Sequence, residues 1–390
     1  MTKSAAEDAR YLCRNAVEAL PAGMIERQLG EGRPLRVKLG IDPTAPDIHL
    51  GHTVVLRKLR EFQDLGHTVV LIIGDYTARV GDPSGRSATR PVLSGEQIDA
   101  NAETFQRQAF KVLDAERTEV RRNGEWLAMA MEELFALART TTVAQLLERD
   151  DFAKRYAANE PISVLELLYP LLQGYDSVAV EADVELGGTD QKFNLLLARQ
   201  IQQAYGVPQQ SVLTMPILPG IDGVQRMSKS LGNYVGVTEP ADEVFGKLMR
   251  VPDAAMPVYY DLLLEGDFDP ERPPVESKRA LARGIAARLH GEDAARAAEQ
   301  HFDRLHVERE LPDEIAEHAV AANGDAVHLP AVLRDAFGMS TSEGRRLLAQ
   351  GGVKIDGEPV DAGDLDVPAA RLDGVVLQVG KRRFARLRID

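Results

Sequence analysis

Between residues 10 and 30, Val17, Leu20, Met24 and Ile25 recur among polar residues, a spacing that predicts an amphipathic helix. Arg36–Ile41 reads as a short strand closing on glycine, and Pro43 and Pro46 then break any regular element. Val54, Val55, Leu59 and Phe62 fall at helical spacing, and Gly66 ends that helix. The following run, Thr68-Val69-Val70-Leu71-Ile72-Ile73-Gly74, is apolar almost without interruption, as a parallel strand buried on both faces must be. Strand, helix and strand in succession predict a βαβ unit, and hence an α/β fold with a parallel sheet.

Further along, residues 95–150 read as mainly helical. A second α/β segment covers about 175–235, with Ser177-Val178-Ala179-Val180, a helix around Asn194–Ile201 and a strand at Val212–Pro216. Beyond Pro240 the chain becomes rich in alanine, arginine and glutamate with little strand signal, and Ala321–Asp325 reads as a linker. In the tail, Ser340-Thr341-Ser342-Glu343 has capping-box spacing, Gly351-Gly352 closes the short helix, and Asp356-Gly357 marks a tight turn between strands. Gln378–Arg388 reads as a hairpin ending in a basic strand. Three units are expected: residues 1–237 with a helical insertion at about 95–170, helical residues 238–325, and residues 327–390.

Composition narrows the class. The chain has 390 residues, 44% hydrophobic and 27% charged, close to a soluble globular average and unlike a disordered chain. No apolar run approaches the length of a membrane span, and Met1–Asp8 lacks the apolar core of a signal peptide, so a cytoplasmic protein without a membrane partner is expected. Cys13 is the only cysteine, which excludes an internal disulfide and a cysteine-based zinc site. The net charge of −14 argues against nonspecific nucleic-acid binding over the whole surface. Residues 327–390, however, carry 10 Lys+Arg against 9 Asp+Glu, and half of those cations lie between Lys381 and Arg388. Such a strand is either a charge-protected sheet edge or a contact for a phosphate backbone.

The sharpest chemical feature is His49-Leu50-Gly51-His52, at a loop-to-helix junction. Backbone N–H groups and the helix dipole favour phosphate there, the imidazoles share one helix face, and Gly51 lets a flat group approach the backbone. A metal pair would need further ligands. Downstream, Arg226-Met227-Ser228-Lys229-Ser230 places two cations and two hydroxyls on a loop, a composition suited to a polyphosphate.

Together these motifs resemble the HIGH and KMSKS signatures of class I aminoacyl-tRNA synthetases. Asp42-Pro43-Thr44, Gly81-Asp82-Pro83-Ser84-Gly85, Tyr169-Pro170-Leu171-Leu172-Gln173-Gly174-Tyr175-Asp176 and Gly187-Gly188-Thr189-Asp190-Gln191 resemble the bacterial tyrosyl-tRNA synthetases in particular. The tail is similar to their S4-type RNA-binding domain. The resemblance implies a Rossmann-like catalytic domain, an α-helical domain on the anticodon side and a small α+β tail. It implies a homodimer joined through the 95–170 insertion, acting on L-tyrosine, ATP with Mg2+, and tRNA(Tyr), with no structural metal.

Carried over residue by residue, the resemblance gives Thr44, His49, His52, Arg226 and Lys229 catalytic roles. Gly51, Arg86, Arg90, Gly188, Asp190, Ser228 and Ser230 become ATP contacts. Asp82, Tyr169, Gln173, Asp176 and Gln191 become tyrosine contacts, with Asp176 accepting the phenol proton. Arg345, Arg346, Lys381, Arg382 and Arg383 become candidate tRNA contacts. Read without it, Asp190 is a helix N-cap before Asn194, Arg86 and Arg90 are surface charges, and His67 and the five histidines after residue 285 are structural. One position departs from the family. Where many members place a tyrosine as second phenol partner, this chain has Lys38, which either pairs with an acidic neighbour or points away.

Overall fold

The computed structural model describes residues 4–44, 47–83, 94–264, 266, 268–306, 315–320, 326–361, 363–380 and 383–389. They pack as two compact units, Met1–Phe302 and Asp303–Asp390.

A six-stranded sheet organises the first unit. Its strands are β1 (Glu18–Leu20), β2 (Arg36–Ile41), β3 (Thr68–Ile73), β4 (Thr118–Arg122), β5 (Val184–Gly188) and β6 (Ser211–Met215), in the order β1-β6-β5-β2-β3-β4. All neighbours are parallel except β1, which runs antiparallel along β6. In β3 the two-residue period sorts side chains between the faces. Val69, Leu71 and Ile73 join the large core on one face, and Val70 and Ile72 pack with Val180 and Ala182 on the other. Each such fully buried side chain contributes about 1.5–3 kcal/mol of burial free energy.

The helix Leu50–Asp64 returns the chain from β2 to β3 and buries Leu50, Val54, Leu56, Leu59 and Phe62. Gly66, at φ +90°, supplies the left-handed turn into β3 that a side chain would resist. After β4 the chain crosses back to place β5 on the other side of β2. The strand order therefore reverses between β2 and β5, where α/β sheets open a crevice at their carboxyl ends.

Two expectations are corrected. Residues 10–30 are not one helix. Helices Ala5–Leu12 and Met24–Gly30 flank strand β1, because Pro21 and the positive φ of Gly23 interrupt the periodicity. The 95–150 segment is mainly helical, as expected, and also holds Thr118–Arg122, the half-exposed edge strand of the sheet, too polar to show as an apolar run. Ser177–Ala179 closes the helix Val164–Ala179. Finally, residues 238–325 do not pack as one unit. Val244, Phe245, Leu248, Tyr259, Leu281 and Ile285, from helices beyond Pro240, share one core with Leu39 and Leu59 of the sheet unit.

Glu317–Val320, by contrast, is a strand of the second unit, parallel to Arg383–Ile389. That unit is a five-stranded sheet with helices Leu329–Phe337 and Thr341–Ala349 and its own core of Leu329, Leu333, Leu348, Leu377 and Leu387. Ser340 caps the second helix by accepting from the Glu343 N–H at 3.2 Å. Asp356 and Gly357 both have positive φ in the turn between Val353–Ile355 and Glu358–Pro359, as the Asp-Gly pair predicts. The linker expected at Ala321–Asp325 lies outside the described residues.

Candidate active site

A cavity of about 400 Å³ opens at the carboxyl ends of β2, β3 and β5, where the topology predicts a crevice. One end of it is acidic. The helix Val164–Ala179 presents Tyr169, Gln173 and Asp176 at four- and three-residue spacing, so all three reach the cavity from one face. Asp176 is buried and accepts from the Trp126 indole Nε1–H at 2.8 Å and from Asn123 Nδ2 at 3.4 Å. Asn123 also donates to Thr77 Oγ1 at 2.9 Å. Asp42, just past β2, accepts from Thr77 Oγ1 at 2.6 Å and from the Tyr169 hydroxyl at 3.0 Å. Gln191 donates to Asp82 at 3.0 Å, and Asn194 joins Gln191 to Gln173 with donations of 3.1 and 2.8 Å.

Five carboxylates, Asp42, Asp82, Asp176, Glu185 and Asp190, thus border one cavity. Burial pushes the Asp42 carboxyl up to about 7; the Thr77 hydrogen bond opposes this and the Asp82 charge adds to it. Burial likewise pushes Asp176 up to about 6, against the nearby Lys38 charge and the Trp126 bond. The Tyr169 phenol is raised by burial and by the charges of Asp42 and Asp82, so it remains a neutral donor. This end suits a ligand that brings a cation to the carboxylates and a hydroxyl to Asp176.

Lys38 resolves into one of its two alternatives. It is fully buried, and its ammonium donates to Glu185 Oε1 and Ser177 Oγ at 2.8 Å each and to the Gln173 carbonyl at 3.1 Å. It lies behind the cavity wall rather than on it.

The other end is built for anions. His49 is the N-cap of the Leu50–Asp64 helix: its Nδ1 accepts from the Gly51 N–H at 3.2 Å, and His52 Nδ1 accepts from the His49 N–H at 3.2 Å. With both Nδ1 atoms accepting, the hydrogen-bond pattern assigns each ring proton to Nε2. Burial pushes His49 down to about 3 and His52 to about 4, so both are neutral donors at physiological pH. Their ring centroids lie 3.9 Å apart. A Cβ on Gly51 would stand 2.9 Å from the His49 ring, so glycine is needed by the histidine as well as by any ligand.

The Arg226–Ser230 loop is framed by Asn233, which accepts from the Ser228 N–H at 2.8 Å and donates to Asp222 at 2.6 Å. Arg226 and Ser228 reach the cavity wall. Lys229 instead pairs with Asp47, and Ser230 lies beside Ser228, their hydroxyls 2.9 Å apart.

Of the residues singled out in the sequence, Thr44, His49, Gly51, His52, Asp82 and Tyr169 line this one cavity, as do Gln173, Asp176, Gly188, Asp190, Gln191, Arg226 and Ser228. Lys229 and Ser230 are on the adjoining loop, off the wall. Arg86, Arg90, Lys381 and Arg382 lie outside the described residues. Arg345, Arg346 and Arg383 are exposed in the second unit. Asp190 does not cap the following helix, whose N-cap is Gln191 without a side-chain cap bond. Sequence reasoning passed over the part played by Asp42, Asn123, Trp126, Asn194 and Asp47. Asp42 showed only as part of Asp42-Pro43-Thr44, and Trp126 only as the one tryptophan in the chain.

Residues 30–307, which include most of this sheet and the histidine-capped helix, match the family described as tRNA synthetases class I (W and Y). A tyrosine-tRNA ligase of Geobacter sulfurreducens is 50% identical over 401 aligned residues, covering 98% of this chain and 99% of the relative. One of Coxiella burnetii is 48% identical, covering 96% and 97%. The chain belongs to the tyrosyl-tRNA synthetase family within that class. At the level of fold alone, the structure of tyrosyl-tRNA synthetase complexed with L-tyrosine from Archaeoglobus fulgidus aligns with a TM-score of 0.64. It is 23% identical and covers 76% of this chain and 99% of that one.

Proposed function

We propose that this chain activates L-tyrosine with MgATP to tyrosyl-adenylate and pyrophosphate, and transfers the tyrosyl group to the 3′ end of tRNA(Tyr). The observation that carries this is the pairing, in one cavity, of a buried carboxylate held by Trp126 and Asn123 with two neutral imidazole donors at a helix start.

In the first step the tyrosine carboxylate attacks the α-phosphorus, an acyl–phosphate bond forms, and the bond to pyrophosphate breaks. No protein nucleophile is needed, so positioning and charge stabilisation supply the catalysis. Asp82, Tyr169, Gln173 and Gln191 seat the ammonium and carboxylate of tyrosine, while Asp176 accepts the phenol proton. His49 and Thr44 donate to phosphate oxygens as charge builds, and His52 and Gly51 hold the nucleotide. Gly188 and Asp190 take the adenosine and its ribose, and Arg86, Arg90, Arg226, Ser228 and Ser230 meet the phosphates. Lys229 leaves Asp47 and closes over the pyrophosphate. In the second step the terminal ribose hydroxyl of the tRNA attacks the carbonyl, and AMP leaves.

The exposed Arg345, Arg346 and Arg383 of the second unit, with Lys381 and Arg382, suit contacts to the tRNA backbone. A homodimer formed through the helical insertion is supported by its exposed apolar residues, Met131, Phe135, Val143, Tyr156, Val164 and Leu165. Among the described residues no helix is long and apolar enough to cross a membrane, and no three His, Cys, Asp or Glu side chains gather as a metal site. Work in the cytoplasm, with magnesium brought in on the ATP phosphates, fits both observations.

ATP–pyrophosphate exchange with each of the twenty amino acids, wild type beside Asp176→Ala, tests the reading. Exchange driven by tyrosine alone and lost in the variant supports it. Exchange driven by another amino acid overturns the pocket assignment.

A further inference from the structure

A charged pair sealed inside a protein costs desolvation that an apolar pair of the same volume avoids, so its presence calls for a purpose. Lys38 and Glu185 are such a pair, 0% and 1% exposed, facing each other across β2 and β5 at the strand-order reversal. The ammonium of Lys38 has three donors and finds three acceptors. Two of these, the Gln173 carbonyl and Ser177 Oγ, belong to the one helical turn that carries Gln173 and Asp176. The Ser177 hydroxyl donates in turn to Glu185 Oε2 at 3.1 Å, and Gln210 donates to the same carboxylate. The turn that reads the substrate is thereby tied to the centre of the sheet from behind.

We infer that Lys38 and Glu185 form a buried positioning pair that sets amino-acid specificity, fixing the Gln173–Ser177 turn and keeping Asp176 a charged acceptor that reads the phenol hydroxyl without a second side chain. The inference rests on the tyrosine reading above. Asp176 faces Lys38 from β2 and Glu185 from β5, with Asp42 beyond β2 and the Trp126 and Asn123 donors around it. Of the two members of the pair, the lysine acts on Asp176 more strongly and favours its ionised form. An apolar residue at position 38 would fill the same space but supply neither the tie nor the charge.

The test compares kcat and KM for tyrosine and phenylalanine, by ATP–pyrophosphate exchange across pH, in the full chain. Wild type is set beside Lys38→Met, the charge-free double variant Lys38→Met/Glu185→Met, and the milder Ser177→Ala, which leaves the ammonium one acceptor short. The double variant guards against unfolding caused by an orphaned Glu185, and Ser177→Ala decides the matter if neither lysine variant folds. The expected result is a tenfold or greater fall in the tyrosine-to-phenylalanine ratio in both lysine variants, and a several-fold fall in Ser177→Ala. The loss should fall on the KM for tyrosine, with the KM for ATP unchanged and the acid limb of the tyrosine profile moved to higher pH. Folded variants that keep both the ratio and the acid limb overturn the inference. A wild type that does not prefer tyrosine overturns the underlying reading instead.

Discussion

Trp126→Phe isolates one hydrogen bond at the blind end of the cavity. The substitution keeps a six-membered aromatic ring beside Val70, Ile72 and Val180 and removes the Nε1–H that reaches Asp176 at 2.8 Å together with the small ring that carries it. A hydrogen bond to a charged group is worth about 1.5–3 kcal/mol, and about 1.4 kcal/mol corresponds to one unit of pKa. The remaining donor, Asn123, stands at 3.4 Å and compensates little. The Asp176 carboxyl, already lifted to about 6 by burial, should therefore rise by about 1–2 units. The sign follows directly. A carboxylate that loses a donor to its charged form holds its proton to higher pH, so the carboxyl that is mostly ionised at pH 7 in the wild type becomes largely protonated there. Exchange kinetics between pH 5.5 and 9 should show the acid limb of kcat/KM for tyrosine displaced upward by about that amount. The KM for tyrosine should be raised several-fold at pH 7, and the two enzymes should converge above pH 9. Phenylalanine, which offers no hydroxyl, should show no such displacement. A tyrosine profile that stays in place in Trp126→Phe, or a shift of equal size for phenylalanine, would refute the assignment of Asp176 as the hydroxyl reader.

Other predictions follow from the same geometry. His49→Ala should lower kcat for exchange about 10²–10³-fold, the cost of one preorganised donor, with His49→Gln recovering part of it. Because burial keeps both imidazoles neutral, neither His49 nor His52 should give rise to a rate change between pH 6 and 8. Asp42→Asn should stabilise the ligand-free protein by about 1–2 kcal/mol at pH 8, less than the full shift because the cavity is open to solvent. Its folded-state carboxyl is raised, so the penalty is present above about pH 7, shrinks as pH falls through it, and vanishes below the ordinary carboxylate range; melting curves at pH 8 and pH 4 check this. Asp47→Asn frees Lys229 from a half-exposed ion pair worth about 1 kcal/mol at most, so the KM for ATP should fall up to about fivefold.

The parts of this molecule legible in the sequence are those governed by local periodicity. The apolar run of β3 is typical of a strand covered on both faces, and the helix after His49 showed both its start and its buried stripe. Thr118–Arg122 was hidden because an edge strand needs no apolar run. In the site, most of the residues grouped by the motifs line one cavity, with Lys229 and Ser230 on the adjoining loop. The residues that hold them in place did not show. Asp42 meets Tyr169 across 127 positions, and Asp176 meets Trp126 across 50. Such pairings leave no trace at short range. Lys38 was ambiguous for the same reason, since its partners sit on two distant elements, the Val164–Ala179 helix and β5.

His49 spends one nitrogen on closing the helix that follows it, and this has a consequence for how the protein changes over time. The atom that accepts the Gly51 N–H is no longer available to a ligand, so the ring meets whatever enters the cavity in one chemical polarity, as a giver of a proton. That polarity is set before any nucleotide arrives and involves no choice between tautomers. It also ties three positions into a single inheritance: a side chain at Gly51 would push the ring aside, and a changed ring at position 49 would loosen the helix start. Drift at either residue would cost folding and chemistry at once, leaving few neutral routes by which this corner of the sequence could wander.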